Sequence, residues 1–140
     1  MEPLKDTLGP SKYASTWYRC PGIVYFFGAG TPAVAIKIGV TAITTGKLEA
    51  RIRRRQEHIQ SANHELIELL GVIRCPDMIV AEERERDLHF KFAALQRFKA
   101  HTRGAEWFTP APELVDYIRE NAETPEALAV PRTVGLQINR

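Results

Sequence analysis

The chain has 140 residues, of which 44% are hydrophobic and 26% are charged, and its formal net charge is +2. This length and this balance are typical of one soluble globular domain and exclude a disordered tail. The sequence contains neither an apolar run long enough to span a bilayer nor a signal-peptide core, so secretion and membrane insertion are not expected.

Residues 1–21 are expected to form a partly ordered N-terminal arm, because Pro, Gly, Ser and Lys are mixed there with aromatic residues. The aromatic residues are Tyr13, Trp17 and Tyr18. We expect them to pack on the domain, and stacking on nucleic-acid bases is the alternative. Cys20 and Cys75 lack CxxC spacing, so neither a zinc site nor a disulfide framework is predicted, and a reduced cytoplasmic compartment fits.

Two β-type runs, at 23–27 and 34–40, flank the turn-prone segment 28–32 and predict a β-hairpin. Directly opposite residues of an antiparallel pair share a face, and their position numbers sum to a constant. Tyr25 and Lys37 therefore share a face in any register with an even sum, unless a bulge at the turn breaks the parity.

The segment 48–58 predicts an amphipathic helix, with 44–46 (Thr-Thr-Gly) as candidate capping residues. At about 100° per residue, one stripe of this helix is apolar and buried: Leu48, Ile52 and Ile59. A second stripe lies beside it at the edge of the core: Arg51, Arg55 and His58. Arg53 and Arg54 point further out, and we interpret them as charges that face solvent or nucleic acid.

A third strand is predicted at 66–74, and helix continuation through Leu69 and Leu70 is the alternative for part of it. Asp77 is the candidate cap of a second helix that begins near Met78. A polar loop at 99–104 follows that helix, and we expect Trp107 and Phe108 to fill the core.

The second helix carries one apolar stripe, formed by Ala81, Leu88, Phe92 and Leu95. Glu85 falls in the middle of this stripe, and His89 borders it one turn later. Because burial of a lone ionised carboxylate is costly, Glu85 should pair with a cation, bind a metal or lie at an open rim. From the spacing alone, a salt bridge to Arg51 or Arg55 and a metal site have equal weight.

The C-terminal part begins with a strong helix start at 109–113, followed by a buried side formed by Leu114, Tyr117 and Ile118. The pattern fades in 121–140, which we interpret as an extension that drapes the domain or serves an interface. Basic residues cluster at 51–55 and 91–103, and this distribution indicates nucleic-acid binding although the net charge is small.

Five sequence motifs occur in an order that resembles the GIY-YIG nuclease superfamily. They are Val-Tyr at 24–25, Lys-Ile-Gly at 37–39, Leu-Glu-Ala-Arg at 48–51, Glu-Arg-Asp-Leu-His-Phe-Lys-Phe at 85–92 and Gly-Ala-Glu-Trp-Phe at 104–108. Lys37 stands where the second motif usually has tyrosine, which is similar to the KIG branch of the superfamily. The resemblance covers about 22–120 and implies an α+β domain with a three-stranded antiparallel sheet flanked by helices, in the order β-β-α-β-α-α.

The resemblance also implies a metal-dependent endonuclease that hydrolyses DNA, with RNA as a further possible substrate. Tyr25 would be the general base, and Lys37 and Arg51 would favour its phenolate, because a free tyrosine has a pKa of about 10. Arg51 would grip the scissile phosphate, and Glu85 would hold one Mg²⁺ or Mn²⁺. Arg55 stands where relatives often carry His or Tyr, and His58 can fill that place one turn on.

The remaining candidates surround this group. His89 and Glu106 are candidate supporting residues, although Glu106 is equally explained as a surface charge. Three basic residues are candidate nucleic-acid contacts: Arg54, Lys91 and Arg103. We expect Tyr25, Lys37, Arg51 and Glu85 to converge on one solvent-open concave site, and Glu85 on the side of the sheet opposite to Tyr25 would contradict the nuclease hypothesis.

Two other hypotheses stay open. One is a module that binds nucleic acid without cutting it, since the missing second-motif tyrosine also fits lost chemistry. The other is a structural or regulatory interaction domain whose charges all form salt bridges. Glu85 discriminates between the nuclease and the non-cutting module, because a binding module has little need for a carboxylate on the apolar side of a helix.

Overall fold

Helices cover both faces of an antiparallel sheet in this α+β protein. The structure is a computed structural model that describes residues 12–44, 46–97 and 106–133. In chain order the elements are α1 (Lys12–Arg19), β1 (Gly22–Ala29), β2 (Ala35–Ala42), α2 (Leu48–Ser61), β3 (Ile67–Cys75), α3 (Met78–Lys91), a 3₁₀ turn (Ala93–Leu95), β4 (Trp107–Phe108), α4 (Pro112–Asn121) and α5 (Pro125–Leu128).

The sheet has the strand order β3-β1-β2-β4, so the prediction of an α+β fold is confirmed but the prediction of three strands is wrong. The fourth strand, Trp107–Phe108, pairs with Lys37 and Ile36 at the outer edge of β2. A run of two residues is too short to show the alternation that marks a strand. Trp107–Phe108 is a strand only because it pairs with the edge of β2.

The hairpin register places Tyr25 opposite Gly39 and Phe27 opposite Lys37. Both sums are even, which confirms that Tyr25 and Lys37 share a face. β3 pairs with the other edge of β1, and its register shifts by one residue between the partners of Phe26 and Phe27. Leu69 and Leu70 therefore belong to a bulged strand, and the helical alternative for them is wrong.

The two faces of the sheet have separate hydrophobic cores. The α2 face is covered by α2, and its buried strand residues include Ile23, Tyr25, Phe27, Leu69 and Val72. The α3 face is covered by α3 and α4, and its buried strand residues include Val24, Phe26, Ile36, Ile38 and Phe108. Alternation along β1 thus sends Tyr25 to one core and its neighbours to the other.

Helix α2 buries Ile52 and Ile59 as predicted, whereas Leu48 is half-buried. Its N-cap is Lys47, whose side chain makes no capping hydrogen bond, so the predicted cap at 44–46 is wrong; Thr45 lies outside the described residues. Gln56 is also buried and donates hydrogen bonds to the main-chain oxygens of Ile67 and Arg132. These bonds hold the helix to β3 and to the C-terminal extension.

Helix α3 begins as predicted, because the Asp77 carboxylate accepts a hydrogen bond from the Val80 N–H at 2.9 Å. Ala81 and Leu88 are buried in the helix, and Phe92 is buried directly after it. Helix α4 starts at Pro112 and buries Leu114 and Ile118, while Tyr117 is partly buried.

The segments at both ends contact the domain. Trp17 packs against the α3 face and Tyr18 is exposed, whereas the side chain of Tyr13 lies outside the described part. In the C-terminal extension Val130 is buried against the α2 face and the Arg132 carbonyl accepts a hydrogen bond from Leu69 N–H at 2.8 Å. The extension therefore drapes the domain as far as residue 133. Cys20 and Cys75 are both free thiols.

Candidate functional site

Tyr25 lies across Gly39 on the neighbouring strand. A Cβ atom built at Gly39 would come within 2.4 Å of the Tyr25 Oη and Cζ atoms, so the ring occupies the space that any other residue would need. Tyr25 is 4% exposed. Lys-Ile-Gly at 37–39 thus gives β2 a gap into which the ring of Tyr25 fits.

Charges around Tyr25 act in opposite directions. Burial raises the pKa of Tyr25 to about 12, the positive charge of Arg55 opposes this, and the charges of Glu85 and Glu106 add to it. The Arg55 Cζ atom lies 6.0 Å from the centre of the Tyr25 ring. The expectation that Lys37 and Arg51 favour the phenolate is therefore wrong for this arrangement: the nearby cation is Arg55, and burial outweighs it.

Lys37 is held by Glu106 rather than directed at Tyr25. The Lys37 Nζ atom donates a hydrogen bond to Glu106 Oε2 at 2.9 Å, and it lies 5.5 Å from the centre of the Trp107 ring. The Lys37 side chain is only 14% exposed. Burial alone would raise the pKa of Glu106, but the hydrogen bond and charge of Lys37 hold it below its usual range. Glu106 is thus a supporting partner of Lys37.

Glu85 lies at the rim of the α3 face, with 26% of its side chain exposed. His89 Nε2 is 3.8 Å from Glu85 Oε2 and donates a hydrogen bond to the Ile38 carbonyl at 3.0 Å. Burial raises the pKa of Glu85; His89 and Lys37 oppose this, and Glu106 and Glu82 add to it. Among the described residues no ion pair joins Glu85 to Arg51 or Arg55, so the salt-bridge alternative is not formed.

The candidate groups come from both faces of the sheet. Helix α3 packs on the face opposite to Tyr25, yet the Glu85 carboxylate lies at the rim, where its charge acts on Tyr25 and Lys37. Along β2, strand β4 pairs with Ile36 and Lys37, and in the described ranges no strand pairs with the rest of this edge of β2. Tyr25 and Lys37 lie on the α2 face, whereas Glu85 belongs to the helix that covers the α3 face, and only the charge of Glu85 acts on the other two residues.

Arginine side chains form a cleft on α2 next to this edge. The cleft has a volume of about 510 Å³ and is lined by Arg51, Arg54, Arg55, Glu57 and His58. A second cleft of about 300 Å³ shares Arg51 and Arg54 with it. Arg51 Nη2 donates a hydrogen bond to Thr44 Oγ1 at 2.8 Å, which holds Arg51 against the connection between β2 and α2. This arrangement suits an extended polyanion.

The predicted basic frame around the site is incomplete. Lys91 Nζ lies 5.7 Å from the Phe92 ring and 5.9 Å from the Tyr117 ring, next to α4. Lys91 follows His89 by two positions, which turns it about 200° around the helix and away from the site. Arg103 and the predicted loop at 99–104 lie outside the described residues.

The residues present fit one hard divalent cation. Glu85 supplies a carboxylate whose pKa is raised mainly by burial and further by the charges of Glu106 and Glu82, and a cation at this position would favour its ionised form. No group of three or more His, Cys, Asp or Glu side chains clusters as a metal site within 12–44, 46–97 and 106–133. A cation here would thus take one protein ligand and fill its other positions with water and phosphate oxygens.

Sequence reasoning missed several residues that shape the site. Thr41 is buried, and its Oγ1 atom is 3.5 Å from Arg55 Nη2. Thr41 follows Lys37 by four positions on the same strand, so the alternation of side chains places both on one face. This alternation was the sequence signal that could have identified Thr41. Gly39 belonged to a motif, but nothing in the sequence showed that it lies under Tyr25.

Comparisons of the chain with protein-family models, curated proteins and solved structures find no match. In the described part of the chain, no helix is both long and apolar enough to cross a membrane.

Proposed function

We propose that this protein is a metal-dependent endonuclease of the GIY-YIG type that hydrolyses phosphodiester bonds of DNA. The observation that supports the proposal is that the charges of Arg55 and Glu85 act on Tyr25, and that a cleft lined by arginines lies on α2 beside it. A hydrolase of this kind needs a proton acceptor, a site for a cation and cations that hold the phosphate. The same surface offers all three.

The arginines of α2 bind the DNA backbone in this proposal. Arg51 and Arg55 grip the scissile phosphate, because a guanidinium forks onto two phosphate oxygens and always keeps its charge. Arg54 and His58 contact the next part of the backbone along the cleft. Arg55 also faces the ring of Tyr25 and links phosphate binding to the general base.

Tyr25 takes the proton from the attacking water, and Glu85 holds Mg²⁺ or Mn²⁺. With a pKa of about 12, Tyr25 is almost fully protonated at neutral pH and only its small phenolate fraction can accept the proton, so the cleavage rate should rise with pH. When bound, the cation would offset the Glu85 charge that raises the pKa of Tyr25 and stabilise negative charge on the phosphate. His89 and Glu106 position Glu85 and Lys37. The substrate and the free thiols fit a cytoplasmic, nucleoid-associated location, or a nuclear one if the protein is eukaryotic.

The test is nicking of supercoiled plasmid by the full chain with Mg²⁺, with Mn²⁺ or with EDTA. Wild type should nick only with a divalent cation, and Glu85→Gln should lower the rate by about 10³-fold or more while DNA binding is retained. Glu82→Gln is the matched control, since Glu82 lies on the same helix and is also half-buried. Nicking by Glu85→Gln at the wild-type rate would exclude Glu85 as the metal ligand.

A module that binds DNA without cutting it is the second candidate, favoured by the ion pair that ties Lys37 to Glu106. It predicts no nicking with any cation, but the same binding by the arginine cleft. Both candidates predict that affinity falls steeply with salt and that Arg54→Ala reduces the slope by about one counterion. Affinity that is insensitive to salt would exclude both and leave an interaction domain.

A further inference from the structure

Helix α3 exposes a narrow apolar stripe on the side away from the core. Phe90 is 85% exposed and Ile79 is 55% exposed, and both are large hydrophobic residues. They are eleven positions apart, about three turns, so they point in nearly the same direction. Glu83 and Arg86 lie between them and are also exposed. All four residues fall within an arc of about 60°.

This stripe is complementary to itself. The positions of Ile79 and Phe90 sum to 169, and so do the positions of Glu83 and Arg86. A second copy of α3 laid antiparallel along the stripe therefore sets Ile79 against Phe90 and Glu83 against Arg86. Two-fold symmetry repeats each pair, as in any isologous interface. We propose that this face of α3 pairs with the same face of a second copy of the chain.

The charges of the helix favour this occupant over nucleic acid. Three carboxylates, those of Glu82, Glu83 and Asp87, lie on or beside the stripe, against one cation, Arg86. Such a surface repels a phosphate backbone. An antiparallel copy instead places Arg86 next to the carboxylates of its partner. The proposal is independent of the proposed function, because the stripe includes none of the candidate site residues.

The helix sets the scale of the interface. Fourteen residues extend for about 21 Å, so the paired faces bury less area than a standard protein interface and the dimer should be in rapid exchange. One contact opposes pairing: Asp87 follows Glu83 by one turn, on the flank that meets Glu83 of the second copy. The apolar pairs and the Glu83–Arg86 pairs must outweigh this repulsion.

Sedimentation velocity of the full chain over a concentration series tests the pairing. Wild type should show a monomer–dimer equilibrium, and Phe90→Glu should abolish the dimer because it sets a carboxylate against Ile79 at both ends. Arg86→Glu or Glu83→Arg alone should raise the dissociation constant about tenfold or more, since each creates two like-charge pairs. A mixture of these two variants should associate as a heterodimer with near-wild-type affinity, because every pair is again opposite in charge.

Val115→Glu is the matched control. Val115 is an exposed apolar residue of α4, 38% exposed, and its substitution should leave the equilibrium unchanged. All the substituted side chains are exposed, so circular dichroism should show the wild-type fold for each variant. A wild type that stays monomeric throughout, a dimer that survives Phe90→Glu, or a mixture that associates no better than its components would each overturn the proposal.

Discussion

The two faces of the sheet are built differently, although the same strands supply both. On the α3 face Phe26, Ile38 and Phe108 are fully buried, and two helices close over them. On the α2 face, α2 and the C-terminal extension cover a core that also holds Tyr25 and Gln56. The chemistry of the candidate site lies where this cover ends, at the outer edge of β2. The two buried polar side chains of the described residues, Thr41 and Gln56, both lie on the α2 face.

The polar groups of the α2 face are paired individually. Gln56 donates to main-chain oxygens, and Lys37 donates to Glu106. In the described ranges no buried side-chain nitrogen or oxygen lacks a hydrogen-bond partner. The α2 face therefore gains its stability from specific partners as well as from apolar contact, and it should respond to pH and to small changes of shape.

The largest effect is expected from ionising Tyr25 inside this core. Its pKa is raised from 10.0 to about 12 in the folded protein, so the stabilisation is complete below pH 10 and is lost as pH rises toward 12. The loss is about 1.4 kcal/mol per pH unit, or about 3 kcal/mol over this window. Urea unfolding of wild type and of Tyr25→Phe from pH 8 upward measures it as the difference between the two proteins.

Other groups also titrate in this window, so a control is needed. Tyr18→Phe removes an exposed tyrosine and should keep the pH dependence of wild type. If wild type and Tyr25→Phe lost stability in parallel, Tyr25 would not be held in its neutral form by burial.

A smaller effect is expected from filling the gap under Tyr25. Gly39→Ala brings a methyl group within 2.4 Å of the buried ring and should lower the free energy of unfolding by about 1–3 kcal/mol. Gly22→Ala is the control toward the α3 face. There the added carbon meets the flexible Met78 thioether at 2.3 Å, which can move aside, and the Ala81 Cβ atom at 3.0 Å, so its cost should be smaller than that of Gly39→Ala. Equal costs measured by urea unfolding would show that the Tyr25 ring is as adaptable as Met78.

The sequence predicted the relations that periodicity controls. Parity placed Tyr25 and Lys37 on one face, and helical spacing placed Arg55 at the edge of the core. Relations that depend on distant contacts were not predictable. Lys37 and Glu106 are 69 positions apart, and their ion pair forms only because β4 pairs with the edge of β2.

The direction of the Tyr25 pKa shift shows the same limit. The expectation that cations would favour the phenolate predicted a lowered pKa, but the pKa of Tyr25 is raised because burial dominates. Burial depends on how α2 and Gly39 enclose the ring, which no local pattern records. For the same reason the sequence did not show that Gln56, which stands between Arg55 and Glu57 in the chain, would be buried.

The smallest effect is expected from Glu85→Gln, which tests whether Glu85 lies at a solvent-open rim or in a closed ion pair with an arginine. The pKa of Glu85 is raised in the folded protein, so its stabilisation is present below the unfolded-state pKa and is lost as pH rises. At neutral pH the Glu85 charge therefore opposes folding, and Glu85→Gln should raise the melting temperature slightly. If Glu85 instead neutralised a buried arginine, the same change would cost about 3–5 kcal/mol.

Mg²⁺ should raise the melting temperature of wild type and of Glu82→Gln but not of Glu85→Gln, because only the last lacks the carboxylate that binds it. A Mg²⁺ response that persists in Glu85→Gln would place the cation elsewhere.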